Sequence, residues 1–256
     1  MRLIFSLIMK NKMLRKAVGA AAYIAAVFLL LQLLYTGINN PVIFPSPFEV
    51  AEIMAEQITD PQCIDAIAIT ILRVSLGIAA SFLTGAVLGI VRFFYPWTSR
   101  ILDRFVLLLR SLPNITLIIL FLFWFDGESC IFFVICLVLF PLVYQACADS
   151  LVQIGQEWKD LFAVYSQPRL YLLKKIYLPL LKPDLGSALI SVSSLGFKVG
   201  VMAEILSQVR SGIGRSMQIA KLNIDIASLF AWTAWLLIVV FVYEQFVKKL
   251  IRICFK

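Results

Sequence analysis

The chain has 256 residues, of which 61% are hydrophobic and only 15% are charged. A soluble domain of this size could not bury so much apolar surface, so lipid is the expected solvent for most of the chain. The formal net charge is +8, but the basic residues cluster at the ends of apolar runs rather than alternating with stacking aromatics, which argues against nucleic-acid binding. The sequence has no histidine and its five cysteines show no C-x-x-C spacing, so it predicts neither a metal site nor histidine-based acid–base catalysis.

Six apolar segments are long enough to cross a bilayer as helices. We therefore expect an all-α membrane protein with a cytoplasmic N-terminal segment (1–16), one six-span domain (17–250) and a short tail (251–256). Pro113 and Pro141 fall inside the third and fourth segments, where neighbouring helices can re-satisfy the backbone. The predicted spans are 17–35, 67–91, 105–125, 131–148, 185–206 and 226–247.

The placement of Lys and Arg predicts the orientation, because cytoplasmic loops are enriched in basic residues. About 17 of the 23 basic residues fall in the N-terminal segment, the second–third and fourth–fifth connections, and the tail. The opposite loops carry mostly acids, including Asp126 and Glu128. Both termini and the long fourth–fifth connection are therefore expected in the cytoplasm.

Two of the predicted outer loops contain recognisable local signals. Residues 46–49 (S-P-F-E) form a capping box with proline at the first helical position, which predicts a short amphipathic helix over Pro47–Thr59. The last outer loop, 207–223, contains two glycines in S-G-I-G-R, which predicts a tight, flexible turn. No strand precedes this G-x-G, so it does not indicate a nucleotide site.

The fourth–fifth connection contains a polar stretch, 156–183, that interrupts an otherwise apolar chain. Its first ten residues or so predict an amphipathic helix that is too short to span a bilayer and marginal alone in water. Such a helix is expected to dock, either in the lipid interface or on a partner protein. Its apolar face is formed by residues at i, i+3, i+4 and i+7: Trp158, Leu161, Phe162 and Tyr165. Its charged face carries Glu157, Lys159 and Asp160.

Charged residues inside the predicted spans need a cavity or a partner, because burying a charge in lipid costs several kcal/mol. Lys198 and Glu204 lie six residues apart on the fifth span and are the candidates for lining a translocation path. We hypothesise that Lys198 favours an anionic or polar solute; pairing with a carboxylate or snorkelling explains it equally well. Arg73 and Arg110 lie near span ends, where snorkelling is expected.

Several segments together resemble the membrane-spanning permease subunit of bacterial ABC importers, in the group that includes nitrate, sulfonate and taurine permeases. The resemblance covers about residues 43–250. The family patterns are L-P-S-P, L-R-x-I-P, L-W-F-G, G-x-A-W-K-x-G-V-A-A-E and S-G-L-G. The matching segments here are 43–47 (I-F-P-S-P), 109–113 (L-R-S-L-P), 123–127 (F-W-F-D-G), 196–204 (G-F-K-V-G-V-M-A-E) and 211–214 (S-G-I-G).

This resemblance implies a type I importer permease with a cytoplasmic coupling helix between spans four and five. Within the family's E-A-A motif, residues 160–162 stand for E-A-A, Ser166 for its glycine, and Leu178 and Pro179 for its ending. It further implies two permease copies, two ATPase subunits and an extracytoplasmic solute-binding protein. The chain would bind no cofactor and catalyse no reaction, since ATP would be bound by the partner subunits.

The residues argue against two alternatives from other classes of protein. An autonomous secondary transporter or channel is expected to show inverted repeats or a relay of intramembrane carboxylates, and the sequence shows no repeat and only Glu204 in the predicted core. A membrane-embedded enzyme would need clustered catalytic side chains, which are missing from the sequence. The solute is left open among nitrate, alkanesulfonates, taurine and pyrimidine precursors of thiamine.

Overall fold

The computed structural model describes residues 26, 28–38, 40, 43–158 and 168–254, and this part of the chain is helical with no strand. The helices, in chain order, are α1 (Phe28–Ile38), α2 (Pro47–Thr59), α3 (Pro61–Phe94), α4 (Pro96–Ser111), α5 (Asn114–Leu122), α6 (Gly127–Glu157), α7 (Leu178–Ser207), α8 (Ile213–Leu222) and α9 (Ile226–Cys254). A helical turn, Arg169–Leu172, and a π-helical segment, Leu173–Tyr177, lead directly into α7.

Four of the predicted spans are confirmed as long apolar helices: α3, α6, α7 and α9 are each long and apolar enough to cross a membrane. α4 and α5 together count as a fifth only if the bent pair forms one span. The first predicted span, 17–35, lies largely outside the described residues, and α1 is a shorter apolar helix there. The described residues therefore hold four or five of the six predicted spans.

The prediction of one continuous third helix through Pro113 is wrong. α4 ends at Ser111, Leu112 adopts an extended conformation (φ −78°, ψ 131°), and α5 starts at Asn114 after a bend of 95°. The physical reason is the steric clash that a proline ring imposes on the residue before it, which moves Leu112 out of the helical region. Pro141, in contrast, lies inside an uninterrupted α6.

Local capping signals explain where two helices begin. α2 covers Pro47–Thr59 as predicted, and Ser46 Oγ accepts a hydrogen bond from Phe48 N at 3.2 Å. α6 begins four residues earlier than expected because Asp126 caps it, accepting a hydrogen bond from Ser129 N at 3.4 Å. Hydrogen bonds from Ser129, first from its side chain and then from its backbone, lower the pKa of Asp126.

The core lies where α3, α6 and α7 pack against one another. Small residues on α3 permit the close approach to α6: a Cβ added at Gly77 would lie 2.5 Å from Ile135 Cγ2, and one at Gly85 would lie 2.8 Å from Val143 Cβ. In lipid the hydrophobic effect does not drive helices together, so such close van der Waals packing supplies the association energy. The glycines of the second predicted span are therefore contact residues between α3 and α6.

The chain divides into two compact units. One contains residues up to Asp60 together with Ile219–Thr233, and in it the rings of Phe44 and Phe230 lie 5.4 Å apart, edge to face. The other contains Pro61–Gln218 and Ala234–Lys256 and holds the α3–α6–α7 core. All sites discussed below lie within this second unit.

Candidate functional site

Glu204 on α7 is fully buried, and its carboxylate is held by three hydrogen-bond donors. Thr70 Oγ1 lies 2.9 Å from Oε1 and 3.0 Å from Oε2, and Gly214 N donates to Oε2 at 2.9 Å. Arg73 Nη1 donates to Oε1 at 2.9 Å and supplies the opposite charge. A buried carboxylate is tolerated only when it is paired and hydrogen-bonded in this way.

Arg73 extends this arrangement to a second carboxylate. Its Nε donates to Glu128 Oε2 at 2.5 Å, its Nη2 pairs with Glu128 Oε1, and its Nη1 also donates to the Ser211 carbonyl at 2.6 Å. The expectation that Arg73 snorkels is therefore wrong. Arg73 instead joins α3 to α6, to α7 and to the loop that follows α7, because two carboxylates lie within reach of its forked guanidinium.

The turn after α7 packs directly on Glu204. Gly212 has φ +140°, and a Cβ added there would lie 2.7 Å from Glu204 Cδ; one added at Gly214 would lie 2.6 Å from Glu204 Cβ. Ile213 N donates to Thr70 Oγ1 at 2.9 Å. Only glycine satisfies both the backbone angle at residue 212 and the space against the carboxylate.

The predicted outer loop 207–223 contains a helix, since Ile213–Leu222 forms α8. The first amides of a helix lack partners within the helix, and its N-terminus attracts negative charge. Here the Glu204 carboxylate accepts a hydrogen bond from the backbone N–H of Gly214, and Gly212 O accepts one from Ser216 N at 3.0 Å. A side chain from α7 thus stabilises the start of α8, a long-range contribution that local sequence patterns do not reveal.

The two path candidates on α7 have different environments. Lys198 is exposed and makes no ion pair with any residue that the structure describes, whereas Glu204 is fully buried and neutralised by Arg73. Lys198 thus remains a candidate for contact with a solute. Glu204 remains a prediction as a path residue, and its observed contacts are with Thr70, Arg73 and Gly214.

The structure describes both ends of the predicted coupling segment. α6 ends at Glu157, and Trp158 follows it as a 40% exposed residue whose N–H donates to Ile154 O at 3.1 Å. Leu178 and Pro179 are the first residues of α7, at the point where the π-helical segment passes directly into it. The remaining coupling candidates lie outside the described residues: Asp160, Leu161, Phe162, Tyr165 and Ser166.

The two ends of this connection are packed together in one buried cluster. The aromatic ring of Tyr177 lies 5.0 Å from that of Phe93, and Ser150 Oγ donates to Asp184 Oδ2 at 2.7 Å. The C-terminal half of α6 and the beginning of α7 therefore form one rigid support for the segment between them. The buried members of the cluster are Cys147, Leu151, Ile154, Tyr177 and Leu181.

Sequence reasoning missed Thr70 and Arg73 as partners of Glu204, and Glu128 as the second carboxylate on Arg73. The available signal was Arg73, a charge inside an apolar segment that requires a counter-charge. In the described part of the chain, no group of three or more potential ligands is arranged to hold a metal ion.

Comparison with known proteins identifies the class to which this architecture belongs. Residues 77–252 match the family described as binding-protein-dependent transport system inner membrane component. A probable ABC transporter permease of Haemophilus influenzae is 30% identical over 137 residues, or 52% of this chain and 56% of the relative. The match thus spans little more than half of that relative's length. A putative ABC transporter permease of Methanocaldococcus jannaschii is 25% identical over 199 residues, or 72% of this chain and 70% of the relative.

The fold is also similar to two inward-facing crystal structures of the MetNI methionine ABC transporter. The TM-scores are 0.57 and 0.53, with 15% and 16% sequence identity. The matches cover 74% and 73% of this chain and 94% and 91% of the matched chains. At such low identity the likeness shows the fold alone, and that fold is the one expected for a type I importer permease. The family match covers more than half of the sequence and agrees with the apolar helices of the structure, so this chain belongs to the binding-protein-dependent inner membrane components, the membrane-spanning permeases of ABC transporters.

Proposed function

We propose that the chain is the permease subunit of an ATP-driven importer for a small polar or anionic solute, of the nitrate, sulfonate, taurine or thiamine-precursor type. Two copies form the path, two ATPase subunits bind and hydrolyse ATP, and an extracytoplasmic binding protein delivers the solute. Both termini lie in the cytoplasm. The observation that carries this proposal is the family match over residues 77–252.

The packing at the ends of the coupling segment supports a mechanism for energy transfer. ATP binding by the partner subunits moves the segment that begins at Trp158. Because α6 and the start of α7 share one buried cluster, a displacement of this segment moves both helices together as a rigid body. Leu161 and Phe162 are bulkier than the alanines of the family motif, so the cleft on the ATPase is expected to be correspondingly wider.

The test is whether an ATPase subunit co-purifies with the chain and whether its ATP hydrolysis depends on it. The assembly reconstituted in liposomes is expected to accumulate solute only with ATP and the binding protein. Solute flux through the chain alone, with no ATPase present, would instead show an autonomous transporter or channel.

Replacing either Trp158 or Phe162 by aspartate is expected to uncouple ATP hydrolysis from transport. A charge on the apolar face of the segment removes its contact with the ATPase, and loss of a buried aromatic anchor at an interface typically costs about 2 kcal/mol or more. Transport should fall by at least about tenfold while the protein still inserts into the membrane. Trp158→Tyr, which keeps an aromatic ring, is the control and should transport normally. Normal transport by both aspartate variants would mean that the segment rests on lipid.

Replacing Lys198 by alanine is expected to weaken uptake of an anionic solute. A hydrogen bond to a charged group contributes about 1.5–3 kcal/mol, so uptake at low solute concentration should fall about tenfold or more. Lys198→Arg keeps the charge and should retain most of the uptake. Radiolabelled uptake of nitrate, alkanesulfonates and taurine, at matched expression, measures the effect. Unchanged uptake by the alanine variant would remove Lys198 from the path.

A further inference from the structure

A cavity of about 200 Å³ lies between the end of α3, α4 from Asp103 onwards and the second half of α6. It is distinct from the Glu204 arrangement, with which it shares no residue. A volume of this size holds several water molecules or the polar head of one small ligand. The polar side chains that line it are Arg92, Asp103, Arg110, Tyr144, Gln145 and Asp149.

One side of this cavity is already neutralised. Arg92 Nε lies 2.9 Å from Asp103 Oδ1 and 3.2 Å from Oδ2, and the Tyr144 hydroxyl donates to Asp103 Oδ1 at 2.7 Å. The Asp103 carboxylate therefore has both a counter-charge and a hydrogen-bond donor. This group of three forms a fixed wall with little charge left for a ligand.

Two further charged side chains line the cavity, Arg110 and Asp149; both are exposed, and they are not paired with each other. Arg110 donates through Nη1 to the side-chain oxygen of Gln145, a neutral acceptor. Asp149 has no hydrogen bond or ion pair within the described ranges of the chain. Gln145 and Asp149 are four residues apart, so they occupy the same face of α6. The cavity thus presents a guanidinium and a carboxylate.

We propose that this cavity binds a small zwitterion, with an anionic phosphate-type group against Arg110 and a primary ammonium group against Asp149. A guanidinium can donate two parallel hydrogen bonds to the oxygens of a phosphate. An ammonium can donate hydrogen bonds to the unpaired carboxylate of Asp149. A purely anionic ligand leaves Asp149 unpaired and brings like charges together, and a purely cationic ligand does the same at Arg110. The cavity therefore discriminates in favour of a molecule that carries both charges.

Two kinds of ligand carry both a phosphate-type group and a primary ammonium group: a lipid headgroup and a free solute. Phosphatidylethanolamine carries a phosphate and a primary ammonium in its headgroup, and this cavity lies towards the ends of α3 and α6, where polar side chains commonly meet headgroups. A free solute with the same two groups is the other source. Neither depends on the proposed transport function, so binding and transport experiments can fail independently.

The first experiment measures binding of soluble probes to the full-length chain in detergent free of phosphatidylethanolamine. O-phosphoethanolamine and ethyl phosphate differ only in the ammonium group. In a calorimetric titration, O-phosphoethanolamine should bind at least about tenfold more tightly than ethyl phosphate. Asp149→Asn should abolish this preference, and Arg110→Gln should abolish binding of both probes. Matched controls are Asp65→Asn and Arg104→Gln, exposed residues outside the cavity, which should behave as the unchanged chain.

The second experiment distinguishes the lipid source. The chain is exchanged into nanodiscs with equal amounts of phosphatidylethanolamine and phosphatidylglycerol, and native mass spectrometry counts which lipid is retained. Asp149-dependent retention of phosphatidylethanolamine supports the proposal with a lipid as the ligand, even if the soluble probe does not bind. Asp149-dependent preference for O-phosphoethanolamine alone supports it with a free solute as the ligand. The proposal is overturned if neither preference exists, or if the preferences persist in both cavity variants.

Discussion

Replacing Arg73 by methionine is expected to destabilise the protein by about 3–5 kcal/mol, because it leaves the fully buried Glu204 carboxylate without a counter-charge. Methionine keeps much of the side-chain volume, so the loss is electrostatic rather than a matter of packing. Combining the change with Glu204→Gln should recover part of the loss, because the neutral amide can still accept from Gly214 N and Thr70 Oγ1. Chemical or thermal unfolding in detergent measures the stability of both variants.

Arg104→Met provides the control for this experiment. Arg104 is exposed on α4 and makes no ion pair in the described part of the chain, so the free energy of unfolding should change by less than about 0.5 kcal/mol. If Arg73→Met were no less stable than this control, or if Glu204→Gln gave no recovery, the buried pair would not be what holds α3 to α7.

Replacing Gly212 by alanine is the second change with a large expected effect. At φ +140° an L-residue is strained by about 1–3 kcal/mol, and the new Cβ would also lie 2.7 Å from the Glu204 carboxyl carbon. The turn must therefore move, and the hydrogen bonds from Ile213 N to Thr70 and from Gly214 N to Glu204 are lost or lengthened. We expect a lower unfolding temperature and lower transport in the same variant.

Gly37→Ala is the matched control for this change. A Cβ at Gly37 meets nothing within 4 Å, and alanine is favoured over glycine inside a helix by up to about 1 kcal/mol. The control should therefore be neutral or slightly stabilised. Equal stability of the Gly212 variant and this control would mean that the turn can relax away from Glu204 at no cost.

The parts of the fold that follow local rules were predictable from the sequence. α2 covers the predicted residues because Ser46 caps its N-terminus and Pro47 is its first residue. The apolar helices α3, α6, α7 and α9 follow from the length and hydropathy of their segments. These signals need no knowledge of the neighbouring helices. The identity of the family could likewise be read from short segments that keep their order along the chain.

The parts that depend on contacts between distant residues were not predictable. Arg73 and Glu204 are separated by 131 positions, and a charge in an apolar segment indicates that a partner exists without indicating which one. In the same way, the local sequence around Pro113 and Pro141 does not indicate which of the two prolines breaks its helix. Both lie in apolar runs, but α6 packs along α3 and α7 and stays continuous at Pro141, whereas the chain bends by 95° next to Pro113.

The break at Leu112 and Pro113 leaves backbone polar groups that lipid tails cannot satisfy. At 1.5 Å per residue, the nine residues of α5 cover only about 14 Å, less than half of a hydrocarbon layer of about 30 Å. The carbonyls that end α4 and the first amides of α5 lack partners within their own helices, apart from bonds such as Ser111 Oγ to Leu108 O at 2.8 Å. Lipid tails cannot supply these partners, so neighbouring protein groups or water molecules must do so. The bend therefore places backbone polar groups inside an apolar stretch of the chain, where groups other than lipid tails must satisfy them.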